Sequence, residues 1–320
     1  MPPVLDVQDL TTNYITERGW VKAAEDVNFK VSEGEALGIA GESGSGKTTV
    51  ALSLLKILPK NGRIRKGKIL FEGQDIVAMS EGDMRKKIRW DGIAIIFQGA
   101  MNAFNPVYKV GDQIVEAILA HEEGVDKKTA LERARSLFQM VGVEPERVDN
   151  YPHEFSGGMR QRALIAMALA ANPKLVVADE PGTALDVIVQ AQVLKLMREL
   201  KDRLNLSMVL ISHDLSIIAE TCEKVAIMYA GRIVEYGNAE DIYNEPLHPY
   251  TQGLIKAFPS IKGARTRLVS IPGQPPDLLK PPTGCRFNPR CPYVMDACRK
   301  EIPLLERAGK GDHLVACYLY

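Results

Sequence analysis

The chain has 320 residues, 46% of them hydrophobic, and 40 basic side chains balance 40 acidic ones to a formal net charge of zero. That length and apolar share can build one large domain with an appendage, or two domains, and they exclude wholesale disorder. The absence of a basic surplus argues against a nucleic-acid binder.

The opening residues MPPVLDVQDL carry neither the basic start nor the apolar stretch of an export signal. Residues 1 to about 97 read as short strands and turns, such as Gly67 to Gly73, around one motif. Gly41 to Thr48, GESGSGKT, matches the phosphate-loop pattern G-x-x-x-x-G-K-[ST] in full. The apolar run Leu37-Gly38-Ile39-Ala40 precedes it and a helical run to Leu55 follows, the strand, loop and helix order this motif requires. Gly41, Gly44 and Gly46 let the backbone around Glu42, Ser43 and Ser45 curl its N–H groups inward onto phosphate oxygens. Lys47 is expected to reach the β- and γ-phosphates and Thr48 to hold Mg²⁺, with Thr49 beside them on a helix whose positive end faces the ligand. A nucleoside triphosphate is the expected ligand.

Residues 98 to about 171 turn helical, with amphipathic stretches from Gln113 to Leu119 and from Lys127 to Met140. Phe155-Ser156-Gly157-Gly158-Met159 then opens an apolar helix, Ala163 to Ala171, which is far short of the roughly 20 residues that cross a bilayer. Ser156 can cap that helix. Its bare amides, with those of Gly157 and Gly158, also suit a γ-phosphate. One nucleotide does not need two such cradles from a single monomer, so a site shared between two protomers is expected. From 172 to about 240, buried strands alternate with helices. Leu175-Val176-Val177-Ala178 ends in Asp179, expected to bind Mg²⁺, and Glu180, expected to orient or deprotonate water. Gly231-Arg232 predicts a hairpin turn between Val225–Tyr229 and Ile233–Tyr236. Beyond about residue 245 the composition shifts. Eight of the 19 prolines fall from Pro272 to Pro303, and little regular structure is expected there.

With these motifs in this order, residues 1 to about 245 resemble the ATP-binding-cassette ATPase family. The resemblance implies an α/β fold of the P-loop NTPase type. It would have a RecA-like core, an antiparallel β subdomain and a helical subdomain at about 98–171, with ATP and Mg²⁺ as cofactors. By that resemblance, Gln98 contacts Mg²⁺ and the attacking water, and Ser156, Gly157 and Gly158 form the signature motif. It further implies that Asp186, in Ala184-Leu185-Asp186, lies in the loop that crosses between subunits. His213 would contact the γ-phosphate and Tyr14 would stack on adenine. Two positions depart from the family pattern: Met159 replaces a glutamine, and Gly182 replaces a threonine and adds backbone freedom beside Glu180.

Leu247-His248-Pro249-Tyr250-Thr251, with Asn102 to Val107 and Val110 to Ile114, resembles the dipeptide/oligopeptide (peptide/nickel) importer branch. This implies a nucleotide domain over 1–244 and an extension over 245–320. It implies an ATP-hydrolysing subunit on the cytoplasmic face of the cell membrane that powers peptide import. Its partners would be a paralogous ATPase subunit in a heterodimer, two transmembrane permease subunits and, indirectly, an extracytoplasmic substrate-binding protein, with no nucleic acid. A nickel importer of the same branch and a soluble cassette acting on ribosomes or DNA are the alternatives.

Four of the five cysteines, Cys285, Cys291, Cys298 and Cys317, crowd the end of the chain, while Cys222 stands apart as a small buried residue. No two are two to four residues apart, the usual zinc spacing, and a reducing cytoplasm disfavours disulfides. Four thiolates can hold a [4Fe–4S] cluster, with Arg286, Arg290 and Arg299 offsetting its charge. Similar cysteines bind such a cluster in some peptide-importer ATPases. Zinc, or cysteines left unliganded or disulfide-bonded, stay open.

Overall fold

The computed structural model describes residues 2–99, 103–257, 271–308 and 311–320. Asn102 of the peptide-branch motif lies outside them. In chain order come β1 (Leu5–Thr16), β2 (Gly19–Val31), β3 (Ala36–Ala40), α1 (Lys47–Leu54), β4 (Gly62–Phe71), β5 (Gln74–Asp75), α2 (Glu81–Asp83) and β6 (Ile93–Ile96). They are followed by α3 (Val110–His121), α4 (Lys127–Met140), α5 (Gly157–Ala168), β7 (Leu175–Asp179), α6 (Val187–Leu204), β8 (Ser207–Ser212) and α7 (Leu215–Thr221). The chain closes with β9 (Lys224–Tyr229), β10 (Arg232–Asn238), α8 (Ala239–Asn244), α9 (Pro249–Ala257), α10 (Asp296–Lys300), β11 (Glu306–Arg307) and β12 (Leu314–Val315).

The chain divides into two compact units, residues 1–77 with 210–320, and residues 78–209. In the first, β2, β1, β4 and β5 form a four-stranded sheet. β1 and β2 run 12 and 13 residues, longer than the short strands expected, and the register between them shifts at three points along β1. β3 is buried along its whole length and pairs in parallel with β9, Leu37 opposite Lys224 and Ala40 opposite Ile227. A strand covered on both faces is what the unbroken apolar run Leu37–Ala40 requires. β9 and β10 form the expected antiparallel hairpin.

The C-terminal residues are not a loose tail. β12 pairs antiparallel with β10, Glu235 opposite Val315, and β11 pairs with β12. Glu235 is fully buried and accepts hydrogen bonds from the N–H groups of Leu247 (2.8 Å) and His248 (3.0 Å), while its Oε1 lies 2.7 Å from His313 Nε2. One carboxylate thus ties three points of the chain together, as a buried charge must be tied to persist. Among the described residues, α9 and α10 add regular helix where little was expected. Cys222 follows the end of α7, buried as expected.

In the second unit β6 runs parallel to β7, Ile93 opposite Leu175 and Ile96 opposite Ala178. α3 and α4 cover the two predicted amphipathic stretches, and Asp126 caps α4 by accepting from the Thr129 N–H at 2.8 Å. α5 begins at Gly157, directly after Ser156, and its last helical residue is Ala168, short of the expected Ala171. No helix among the described residues is long and apolar enough to cross a membrane.

Candidate nucleotide site

β3 delivers the chain into the Gly41–Thr48 loop, and the loop runs directly into α1. Gly41 and Gly46 take φ of 152° and 103°, and a Cβ there would stand 2.2 Å from the Met228 carbonyl oxygen and 2.1 Å from that of Ala23. Torsion and space both exclude any side chain. Gly46 is the N-cap of α1 with no side-chain cap, so the amides of the first turn face whatever enters the loop. Lys47 is 5% exposed, and its Nζ donates to the carbonyls of Gly41 (2.7 Å) and Glu42 (2.9 Å) and to Ser45 Oγ (3.4 Å). The ammonium therefore spans the loop from the helix back to its start. Ser43, Gly44 and Thr48 are exposed. Tyr14 is half-buried on β1, and its hydroxyl donates to Thr49 Oγ1 at 3.3 Å. His213, also in this unit, is exposed on the turn from β8 to α7.

In the second unit β7 ends in Asp179, 4% exposed. Glu180 follows with φ of 47°, a left-handed conformation that a non-glycine residue adopts only under local constraint. Its Oε2 accepts from Gln98 Nε2 at 3.0 Å and from Thr183 Oγ1 at 2.9 Å. Gln98 and Glu180 thus meet, although 82 residues separate them. Thr183 joins the site as a hydroxyl three residues after the carboxylate, a spacing visible in the sequence.

Ser156 caps α5, its Oγ accepting from the Met159 N–H at 3.3 Å, so Gly157 and Gly158 form the first helical turn. Asp186 caps α6, accepting from the Val189 N–H at 2.9 Å. Gly182 leaves space beside Glu180 for a neighbouring side chain. Its φ is not positive, and a Cβ would meet Gln190 Cγ at 2.4 Å, so the glycine makes room for a side chain of α6.

Two contacts on the phosphate loop come from the far end of the chain. The Glu42 N–H donates to the Tyr250 hydroxyl at 2.8 Å, and Arg290 grips the Glu42 carboxylate with both terminal nitrogens, at 2.7 and 3.0 Å. Arg286 donates to the Glu25 carboxylate and the Ala230 carbonyl. The guanidinium groups of Arg286 and Arg290 are therefore spent on carboxylates rather than held for charge at the cysteines.

Cys285, Cys291, Cys298 and Cys317 line one small pocket beside His248 and Phe287. Burial pushes the Cys285 thiol up to about 11 and raises those of Cys291 and Cys317. Left to themselves Cys285, Cys291 and Cys317 are neutral thiols. No group of three or more His, Cys, Asp or Glu that could hold a metal ion is present among the described residues. A cavity of about 810 Å³ lies elsewhere in this unit. Two of the charges that line it are paired, Arg232 with Asp26 at 2.8 Å and Lys224 with Glu35 at 3.0 Å.

A phosphate loop after a buried parallel strand, and an Asp-Glu pair ending another, define an α/β ATPase of the P-loop class. The chain belongs to the ABC transporter family, whose model matches residues 24–183, and it carries the oligopeptide/dipeptide transporter C-terminal region over residues 234–298. It is 45% identical to the oligopeptide transport ATP-binding protein OppD of Salmonella typhimurium, covering 98% of this chain and 93% of that one. It is 41% identical to the dipeptide transport ATP-binding protein DppD of Caldanaerobacter subterraneus, covering 100% and 98%. The ATP-binding cassette MJ0796 bound to ADP and Pi shares the fold, with a TM-score of 0.65 at 24% identity over 73% of this chain and 98% of that one. The cbiO1 protein of Clostridium perfringens, part of an ABC transporter complex, gives 0.66 at 27% identity over 77% and 92%.

Proposed function

We propose that this chain is the ATP-hydrolysing subunit of an importer of di- or oligopeptides. The nucleotide part of this reading is carried by Lys47, folded back across a glycine loop that admits no side chain at Gly41 or Gly46. Full-length likeness to peptide-transport ATP-binding proteins, together with the C-terminal region, supports the peptide part over nickel.

In this reading the loop amides from Gly41 to Thr49 hold the phosphates and Lys47 neutralises their charge. Thr48, Asp179 and Gln98 would hold Mg²⁺, which would supply charge neutralisation at the phosphates. Glu180 accepts the proton of the attacking water, and its bonds to Gln98 and Thr183 fix the direction of its carboxylate. His213 contacts the γ-phosphate and Tyr14 stacks on adenine. Ser156, Gly157 and Gly158 of a second protomer close over the same nucleotide, with Asp186 at the crossing. Val187 and Ile188, 81% and 73% exposed beside Asp186, are apolar surface suited to being covered by such a partner.

The partner is a paralogous ATPase chain, and two transmembrane permease subunits anchor the pair at the cytoplasmic face of the membrane. An extracytoplasmic substrate-binding protein delivers the cargo. The domain division follows 1–244 for the nucleotide domain, with its helical part at about 98–171, and 245–320 for the extension. The four cysteines would hold a [4Fe–4S] cluster, each thiol losing its proton on binding iron. The shared pocket they line supports that reading, and zinc is the alternative.

Reconstitution of the chain with its membrane partners in vesicles tests the reading. Peptide uptake driven by ATP is expected, and it should stop with Lys47→Ala. Uptake of nickel without peptide would overturn the substrate assignment.

A further inference from the structure

The phosphate loop contains a carboxylate, Glu42, in a cradle that otherwise exists to attract anions. A bare negative charge there opposes a triphosphate through short distances and partly excluded water. Arg290 meets that charge with a bidentate pair while only 5% of its own side chain is exposed. Its guanidinium is fixed further by the carbonyls of Pro272 (2.8 Å) and Ile271 (3.2 Å) and by the Tyr229 hydroxyl (3.3 Å). Below it Tyr229, Tyr250 and Phe287 pack ring against ring, with centroids 4.5 to 5.5 Å apart. The Arg290 N–H donates to the Phe287 carbonyl at 2.9 Å, so the turn that carries the guanidinium is anchored in that aromatic group. Tyr250, from the same group, takes the Glu42 N–H. The C-terminal region thus holds both the charge and the backbone of one residue in the nucleotide loop.

We propose that Arg290 is a positioning residue of the nucleotide site: it cancels the Glu42 carboxylate so that the loop presents net positive potential to a triphosphate. The inference rests on the nucleotide-binding role proposed above. Because the pair sits on the loop that holds the phosphates and touches none of the proposed water-activating residues, its loss is expected to act on ATP affinity rather than on turnover at saturation.

The test is binding of a fluorescent ATP analogue with Mg²⁺ to the full chain, alongside KM and kcat for ATP. Wild type binding no nucleotide would refute the ATPase reading itself and leave the clamp without a role. With wild type binding, Arg290→Ala is expected to weaken affinity about tenfold or more and to raise KM while kcat stays within about threefold. The deciding variant is the double substitution Arg290→Ala with Glu42→Gln, which removes the charge and its partner together. It is expected to recover affinity to within about threefold of Glu42→Gln alone. Should Arg290→Ala alone fail to fold, Arg290→Gln in both Glu42 backgrounds carries the same comparison. Unchanged affinity in the single variant, or a double variant as weak as the single one, would overturn the proposal and leave Arg290 a structural brace.

Discussion

At the scale of single residues, the nucleotide loop shows how little latitude the chemistry leaves. Gly46→Ala would drive a methyl group into the Ala23 carbonyl at a φ of 103°, so both the turn and the start of α1 must move. We expect this variant to lose detectable Mg-ATP binding in equilibrium titration, and about 2 kcal/mol or more of stability. Glu180 offers the complementary case. Glu180→Gln keeps the shape of the hydrogen-bonded group but cannot take a proton from water. Hydrolysis is expected to slow by at least ~100-fold, about 2.7 kcal/mol of barrier, while nucleotide binding persists. Steady-state turnover with a parallel binding titration measures both, and turnover near wild type would move the base elsewhere. Thr183 holds the same carboxylate oxygen as Gln98, so Thr183→Val should loosen Glu180 and lower kcat several-fold without changing KM for ATP.

At the scale of elements, β10 is the strand on which the C-terminal region depends, because Glu235 lies on it. Glu235→Ala would leave two backbone N–H groups and a buried imidazole without their acceptor, and a loss of about 3 kcal/mol in chemical denaturation is expected. His248 adds a pH dependence. Complete burial pushes it down from 6.5 to about 4, against the opposing pull of Glu235. Between those values the unfolded chain binds a proton that the folded chain refuses. Stability is therefore full above pH 6.5 and falls as the pH drops toward 4, by about 3 kcal/mol over the window. Urea unfolding across that range should show a shallower loss for His248→Gln than for wild type. The four-cysteine pocket belongs to this region too. Protein purified without oxygen should be brown and carry about four irons per chain. Colourless protein with a single zinc would refute the cluster.

At the scale of the whole molecule, residues distant in sequence depend on one another. The expected extension packs in the same compact unit as the phosphate loop, joined by β12 on β10 and by Arg290 on Glu42, 248 residues apart. Truncation before Tyr250 should therefore lower nucleotide affinity as well as stability, a combination that separates this protein from a cassette with a passive tail. Limited proteolysis followed by nucleotide titration of the retained core would register it.

What was readable in the sequence is what is local. The phosphate loop, the Asp179-Glu180 strand end, the Ser156 cap and the β9–β10 hairpin each lie in a few consecutive residues, because backbone torsion, capping and strand alternation act over short stretches. The long amphipathic helices α3 and α4 followed from periodicity for the same reason. The bond from Gln98 to Glu180, the room made for Gln190 by Gly182 and the clamp of Arg290 on Glu42 could not be read this way. Contacts between remote segments depend on how the chain returns through space, and no spacing rule encodes that return. Residue identity determined the chemistry on offer, and the tertiary structure alone decided which charges meet.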